Sequence, residues 1–335
     1  MGRQRRTKQM GFSLVELMVS VVLGGMMMAA ASALYLASKN SYQEVEEFTS
    51  LTENTRFAER LVTDALRHAG FFGEVSANKV TLDGSLGTVS GDCTGAAAAW
   101  DVNNYVTATT ASSSGAAFGC ITDAVPGTDV LVVKRVRPQP LTDGPGDGSS
   151  PNGTIDTPST IDATRPYILT NNVLGLLFDA GGGTPTVTVG GDVPGGSAWE
   201  YQFEAYYVRN TDIPSLSRKV LIRSGSAQTI TTEDLVQGVE RLTLSLGYDS
   251  DGDDEVDTFG SVSSVAGNWD RVYSVGVFLL VRGAVPDPQY VDGKTYRIAN
   301  STFTPDSSVQ SYRRLLTQAR VALRNPKLII RGQAG

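Results

Sequence analysis

The nine residues DSDGDDEVD, Asp249 to Asp257, place carboxylates at alternate positions of a short polar stretch. Counting Asp249 as position one, side-chain acids fall at one, three, five and nine: Asp249, Asp251, Asp253 and Asp257. Glu255, at position seven, can offer its backbone carbonyl. Ca²⁺ takes six to eight hard oxygen ligands, and alternate acids in a tight loop supply them. Gly252 permits the turn. The spacing is EF-hand-like, but glycine stands at position four rather than six, and no Glu occupies position twelve. It is closer to the short Asp-rich calcium loops of extracellular repeats. Carboxylates this close repel one another unless a cation neutralises them. The chemistry predicted is calcium binding; the alternative is a solvated acidic turn between strands. DGPGDGSSPNGTID, residues 143–156, is a weaker echo that reads as a flexible loop.

A second acid stands where acids are costly. Glu16 opens an apolar run, and Leu17 to Ala37 is 21 residues without a charge. Such a run spans roughly 30 Å of hydrocarbon as a helix. A carboxylate near a bilayer interior costs on the order of 3 kcal/mol, so it marks function by default. A secretory signal peptide has a shorter apolar core and a cleavage site after it. A plain anchor with a basic cytoplasmic flank fits the length but leaves Glu16 unexplained, unless the acid snorkels to the interface. Gly24 and Gly25 lie inside this run; they allow close helix contact or local melting. Met26, Met27 and Met28 read as adaptable packing.

Other chemistry is sparse. The one histidine, His68, stands in a helix-like stretch, which leaves Ser-His-Asp or Cys-His catalysis little to work with. HExxH and CxxC do not occur. Gly293-Lys294-Thr295 ends like a phosphate loop, but the required glycine five residues earlier is Pro288. No enzyme and no organic cofactor are expected. Cys93 and Cys120 are the two cysteines; in an exported chain they form one disulfide, and otherwise two buried thiols. Trp100, Trp199 and Trp269 read as core or loop anchors, with surface binding open.

Net charge is -7, and Arg3, Arg5, Arg6 and Lys8 all precede residue 12. The remainder holds 24 basic against 35 acidic residues, a net of -11. Such a body is a poor electrostatic match for nucleic acid.

These groups need elements to hold them. Phe48, Leu51, Thr55, Ala58, Val62, Ala65 and Ala69 recur at steps of three and four, with acids and arginines between them. Gly70 is the expected stop, with Arg67 and His68 in the last turn. One helix from Phe12 to Ala69 would hold 58 residues and extend roughly 87 Å. Beyond Gly73 the pattern turns to period two. Strands are expected at Lys79–Leu82, Asp129–Arg137, Tyr167–Thr170, Trp199–Arg209, Arg218–Ser224, Val239–Tyr248, Val272–Arg282 and Leu315–Leu323. Loop-like stretches cover Gly91–Cys120, Thr142–Thr160 and Ala180–Ser197. The fold class is α+β: a long N-terminal helix packed on an antiparallel sheet.

MGFSLVELMVS, Met10 to Ser20, resembles the type III signal of the type IV pilin superfamily. The resemblance implies cleavage between Gly11 and Phe12 by a prepilin peptidase, N-methylation of Phe12, and Glu16 as the fifth mature residue. Glu16 would then pair with the Phe12 amine of a neighbouring subunit. SLTENTRFAERLVTDALRHAGFFGE resembles PilW-type minor pilins, as do VQGVERLTLSLGYDSDGDDEVDTFG, DRVYSVGVFLLVRG and SYRRLLTQARVALRNP. Many relatives carry Cys where this chain has Glu74.

The organisation implied is a leader at 1–11, a transmembrane or filament-core half-helix at 12–38, an amphipathic half at 39–72, and a β-rich body at 73–335. The expected function is a minor pilin that primes a type IV pilus within a tip complex, serving twitching motility, adhesion and DNA uptake. Expected partners are prepilin peptidase, the major and other minor pilins, a PilC/PilY-type tip adhesin, and the inner membrane before assembly. The body would face the periplasm and later the pilus tip. The alternatives are a J-type pseudopilin of a type II secretion system and a membrane-tethered calcium-dependent binding module.

Overall fold

A computed structural model of the chain describes residues 11–84, 86–141, 161–265 and 267–325. The expected leader, up to residue 10, and the loop echo at 143–156 lie outside these. The described chain divides into two units, residues 1–50 and 51–335.

The first unit is the start of helix α1, Leu14–Arg67. No proline interrupts it, and Gly24 and Gly25 leave it continuous. Its apolar side chains from Leu14 to Leu36 are exposed. It is long and apolar enough to cross a membrane.

From Leu51 onward α1 belongs to the second unit. Leu51, Thr55, Ala58, Val62, Ala65 and Leu66 are buried, one stripe at helical spacing. Phe48, expected in that stripe, is 57% exposed. Burial along this face begins at Leu51. Ala58, Ala65 and Ala69 carry no bulk on this face and are almost wholly buried.

The helix stops through backbone chemistry. The His68 amide bonds the Ala65 carbonyl (3.3 Å) and Ala69 bonds Leu66 (3.2 Å), which tightens the last turn. Gly70 follows at φ +70°, the left-handed residue that closes many helices. Its amide bonds the Lys134 carbonyl (3.0 Å), and a Cβ there would lie 2.7 Å from the Tyr105 ring. Gly70→Ala would therefore be strained and would clash.

The strands are β1 (Val80–Leu82), β2 (Val89–Ser90), β3 (Val106–Thr110), β4 (Asp129–Val136) and β5 (Pro166–Thr170). There follow β6 (Gly175–Asp179), β7 (Ser197–Arg209), β8 (Ser215–Ser224), β9 (Ala227–Gln237) and β10 (Val239–Tyr248). The last are β11 (Thr258–Gly260), β12 (Val272–Arg282), β13 (Tyr296–Ile298), β14 (Ser301–Phe303) and β15 (Arg314–Ala322). A short helix, α2 (Val262–Val265), follows β11.

The larger sheet is centred on β7. Residues 197–200 of β7 pair with β5 and residues 201–206 with β4, while β8 takes the other edge. β1 pairs with β6 and β2 with β9 in parallel, so this sheet is mixed rather than purely antiparallel. The smaller sheet, in the order β11-β10-β12-β15, is antiparallel throughout. The stretch Gly91–Cys120, expected as loop, contains strand β3.

β4 and β7 are buried along nearly their whole length because both faces are covered. Leu131, Val133, Tyr206 and Val208 join the α1 stripe and the inner face of β10 and β12 in one core. The alternate residues Val130, Val132, Tyr201, Phe203 and Tyr207 join a second core with Cys93, Ile121 and Trp199. A smaller third cluster holds Tyr167, Leu169 and Phe178.

Two buried features bind loops to this frame. Cys93 and Cys120 form a disulfide across 27 positions. Lys134 is wholly buried; its Nζ donates to the carbonyls of Ala96 (2.8 Å) and Asp101 (2.7 Å), and burial pushes its pKa down to about 8. Closing a loop of this length removes about 3–4 kcal/mol of unfolded-state entropy in the chain-entropy account. Cys93→Ala/Cys120→Ala is expected to lower stability by that amount in urea denaturation, with a steeper slope because the unfolded chain is no longer cross-linked.

Candidate functional site

At the start of α1, Gly11, Phe12 and Ser13 are outside the helix, and Phe12 is 84% exposed. The Gly11–Phe12 bond therefore lies in accessible, non-helical backbone. Ser13 is the N-cap: its carbonyl accepts the Leu17 amide (3.2 Å), the first bond of the ladder. Its hydroxyl accepts the Glu16 amide (3.2 Å), and the Glu16 carboxylate accepts the Ser13 amide in return (3.1 Å). This is the reciprocal capping box, in which a Ser and a Glu three residues later satisfy two orphan donors. An acid in the first turn also faces the positive end of the helix dipole. The box thus turns Glu16 back toward the chain start, beside the peptide bond joining Ser13 to Phe12. The S-x-x-E spacing in "FSLVEL" is the sequence signal for this box, which the reading of Glu16 as a lipid-facing acid and as an inter-subunit partner does not include.

In the second unit, the loop after β10 gathers four of the five expected metal ligands. One carboxylate oxygen from each of Asp249, Asp251, Asp253 and Asp257 lies within 4.8 Å of the others. Asp249 is almost fully buried and organises the turn. Its Oδ1 accepts the amides of Asp251 (3.0 Å) and Gly252, and its Oδ2 accepts that of Asp254 (2.9 Å). These donors hold its pKa below the usual carboxylate range, the Gly252 amide first among them. Asp257 accepts the Ser250 amide (2.9 Å) and hydroxyl (3.1 Å), and Asp253 accepts the Glu255 amide (2.9 Å). Asp251 is pushed up by the neighbouring charges of Asp253 and Asp257.

The Glu255 side chain stands outside the cluster. An all-oxygen set with a strained member suits a hard divalent cation, which would remove the repulsion on Asp251. His68, expected as a helix-end cation, lies just past α1; its Nδ1 is 3.0 Å from the Asp64 carbonyl.

The family model for the prokaryotic N-terminal methylation motif matches residues 6–32, which contain Gly11, Phe12 and Glu16. That for type IV pilus-assembly protein W matches residues 205–325, which contain β8 to β15 and the acidic loop. The two matches support a type IV pilin-like minor pilin. No curated protein and no solved structure matches it. The prepilin-type signal implies processing by prepilin peptidase and interaction with other pilus components. Pilin-family regions are structural rather than catalytic. The apolar helix behind the signal fits membrane anchoring. The PilW-like wording near residues 50–74 falls between the two matched spans.

Proposed function

We propose that this minor pilin is cut between Gly11 and Phe12, methylated on Phe12, and assembled through Glu16 into a tip-associated minor-pilin complex that primes a type IV pilus. The observation that carries the reading is Glu16, turned by its capping box toward the residue that becomes the free amine. In this reading the helix from Phe12 leaves the inner membrane for the filament, and the body is periplasmic before assembly. The other minor pilins, the major pilin and a PilC/PilY-type adhesin are the partners, and twitching, adhesion and DNA uptake are the processes served. Deleting the gene is expected to abolish surface pili and twitching while leaving type II secretion intact. The opposite pattern would assign the chain to the J-type pseudopilins.

Calcium is the second element of the proposal. Asp249, Asp251, Asp253 and Asp257 would hold Ca²⁺ through their side chains, with the Glu255 carbonyl as the further oxygen. At a calcium concentration 100 times the Kd, binding to the folded state alone stabilises it by about 2.7 kcal/mol. Thermal unfolding is expected to shift upward with Ca²⁺ relative to EGTA in the wild type, and not in Asp251→Ala/Asp253→Ala. Equal melting in both buffers would remove calcium from the reading without touching the assembly role.

A further inference from the structure

An open cleft of about 590 Å³ lies beside the acidic loop, within the β-rich unit. It shares Asp249, Gly252 and Asp254 with the acidic loop, but its aromatic and amide lining is not explained by pilus assembly or by the proposed cation. Three aromatic rings contribute: Tyr273 is buried, and Tyr105 and Trp269 are half-buried. The exposed polar side chains include Asn78, Asn103, Asp270 and Arg271. Trp269, Asp270 and Arg271 are the successive residues of one 3₁₀ turn leading into β12. That turn contributes a flat ring, a carboxylate and a guanidinium to the lining. Asn103 approaches from the segment before β3, a different part of the fold.

The charge balance selects the ligand. Asp249 is committed to three backbone amides, and Asp254 accepts the Tyr273 hydroxyl (2.9 Å). Both keep their charge, so the lining carries three carboxylates, Asp249, Asp254 and Asp270, against the one guanidinium of Arg271; Asp270 and Arg271 are the two not held by these bonds. An anionic ligand is disfavoured, and the uncharged aromatic and amide groups that make up most of the remaining polar lining suit a neutral one. Ligand sites of this size pair aromatic surface with a few placed polar groups. Aromatic faces cover C–H surface, while amide, carboxylate and guanidinium groups between them donate and accept hydrogen bonds. A pyranose presents both faces of that chemistry, C–H groups on its flat side and hydroxyls around its rim.

We propose that this cleft is a binding site for a neutral oligosaccharide, with Trp269 stacking on a sugar ring and Asn103, Asp270 and Arg271 bonding its hydroxyls. The site is independent of the assembly reading. The test uses the full chain in an amine-oxide detergent, so that the micelle carries no sugar headgroup. Maltotriose, cellotriose, chitotriose and N-acetyllactosamine are titrated by calorimetry, with polyglutamate, oligolysine and an uncharged Gly-Ser peptide as the other arms. Saturable binding of at least one saccharide is expected. Trp269→Ala should weaken it at least tenfold, and Asn103→Ala, at an exposed loop position, several-fold. Trp100→Phe, outside the cleft, should leave it unchanged. No saccharide binding, equal binding in the Trp269 and Asn103 variants, or preference for a charged polymer or the peptide would each overturn the proposal.

Discussion

Gly11→Val is expected to leave the chain as full-length precursor, whereas Glu16→Ala is cut normally and then fails to enter filaments. The two variants separate chemistry that the sequence packs into six residues. Gly11 has no side chain, so a peptidase can close on the backbone at that bond; a β-branched residue obstructs the approach. Glu16 acts only after cleavage, when Phe12 acquires a cationic amine. At about 4 Å and an effective dielectric near 20, the pair attracts by roughly 4 kcal/mol. Burial of both charges offsets much of that, so the pair is better suited to setting subunit register than to adding net stability.

Ser13→Ala tests the capping box separately. It removes the N-cap hydroxyl, at a cost of about 1 kcal/mol at the helix start, and leaves the carboxylate in place. Its expected phenotype is reduced incorporation rather than none. Immunoblots of precursor and mature chain, with sheared-filament fractions, read all three. Wild-type incorporation of Glu16→Ala would sink the assembly role of the acid.

Arg314→Met is expected to destabilise the β-rich unit by about 3–5 kcal/mol, the usual cost of leaving buried charges without their partner. The Arg314 side chain is fully buried, as is that of Asp292. All five guanidinium donors are engaged. Nε and one Nη bond the two oxygens of Glu240 (2.7 and 3.1 Å), the other Nη bonds Asp292 (3.1 Å), and the remaining N–H groups reach the carbonyls of Tyr312 (3.1 Å) and Val309 (2.9 Å). Burial works against the charge, but the Glu240 and Asp292 carboxylates more than offset it and hold its pKa above the usual value.

Asp292 also accepts the Tyr296 hydroxyl (2.8 Å), so the network ties the β13–β14 hairpin to β10 and β15. Removing the arginine takes the short ion pairs from both buried carboxylates and leaves Glu240 the 3.8 Å contact with Arg282. Glu240→Gln/Asp292→Asn in the same chain should recover part of the loss, because neutral amides cost less to bury than unpaired anions. Urea denaturation checks both, and a loss under about 1 kcal/mol for Arg314→Met would show the network to be dispensable.

How far these features could be read in advance differs by element. Val239–Tyr248 and Val272–Arg282 were delimited correctly from their apolar, β-branched runs. β9, AQTITTEDLVQ, lacks a clear apolar alternation because most of its residues are polar, and pairing with β8 makes it a strand. β3 and β6 were hidden in the same way, as five-residue segments that need neighbours already in place. Among the acidic residues, alternation located four of the clustered aspartates. It could not show that Asp249 would serve chiefly as a buried acceptor for the turn's own amides. The Trp269 cleft left no local mark, because its two sides come from residues more than 140 positions apart.

By itself the sequence determined what depends on neighbours in the chain: the Gly11–Phe12–Glu16 signal, the uncharged span behind it, the helix and its stop at Gly70, and the acidic loop. Each is set by spacing within a few turns or by the composition of a single run. Tertiary structure decided where the buried stripe of α1 begins, how β4 and β7 come to lie between two cores, and which arginine sits at the centre of the buried charge network. It also decided which aromatic rings line the cleft. Those outcomes depend on contacts between distant segments, whose closure entropy is repaid only when the sheets assemble together.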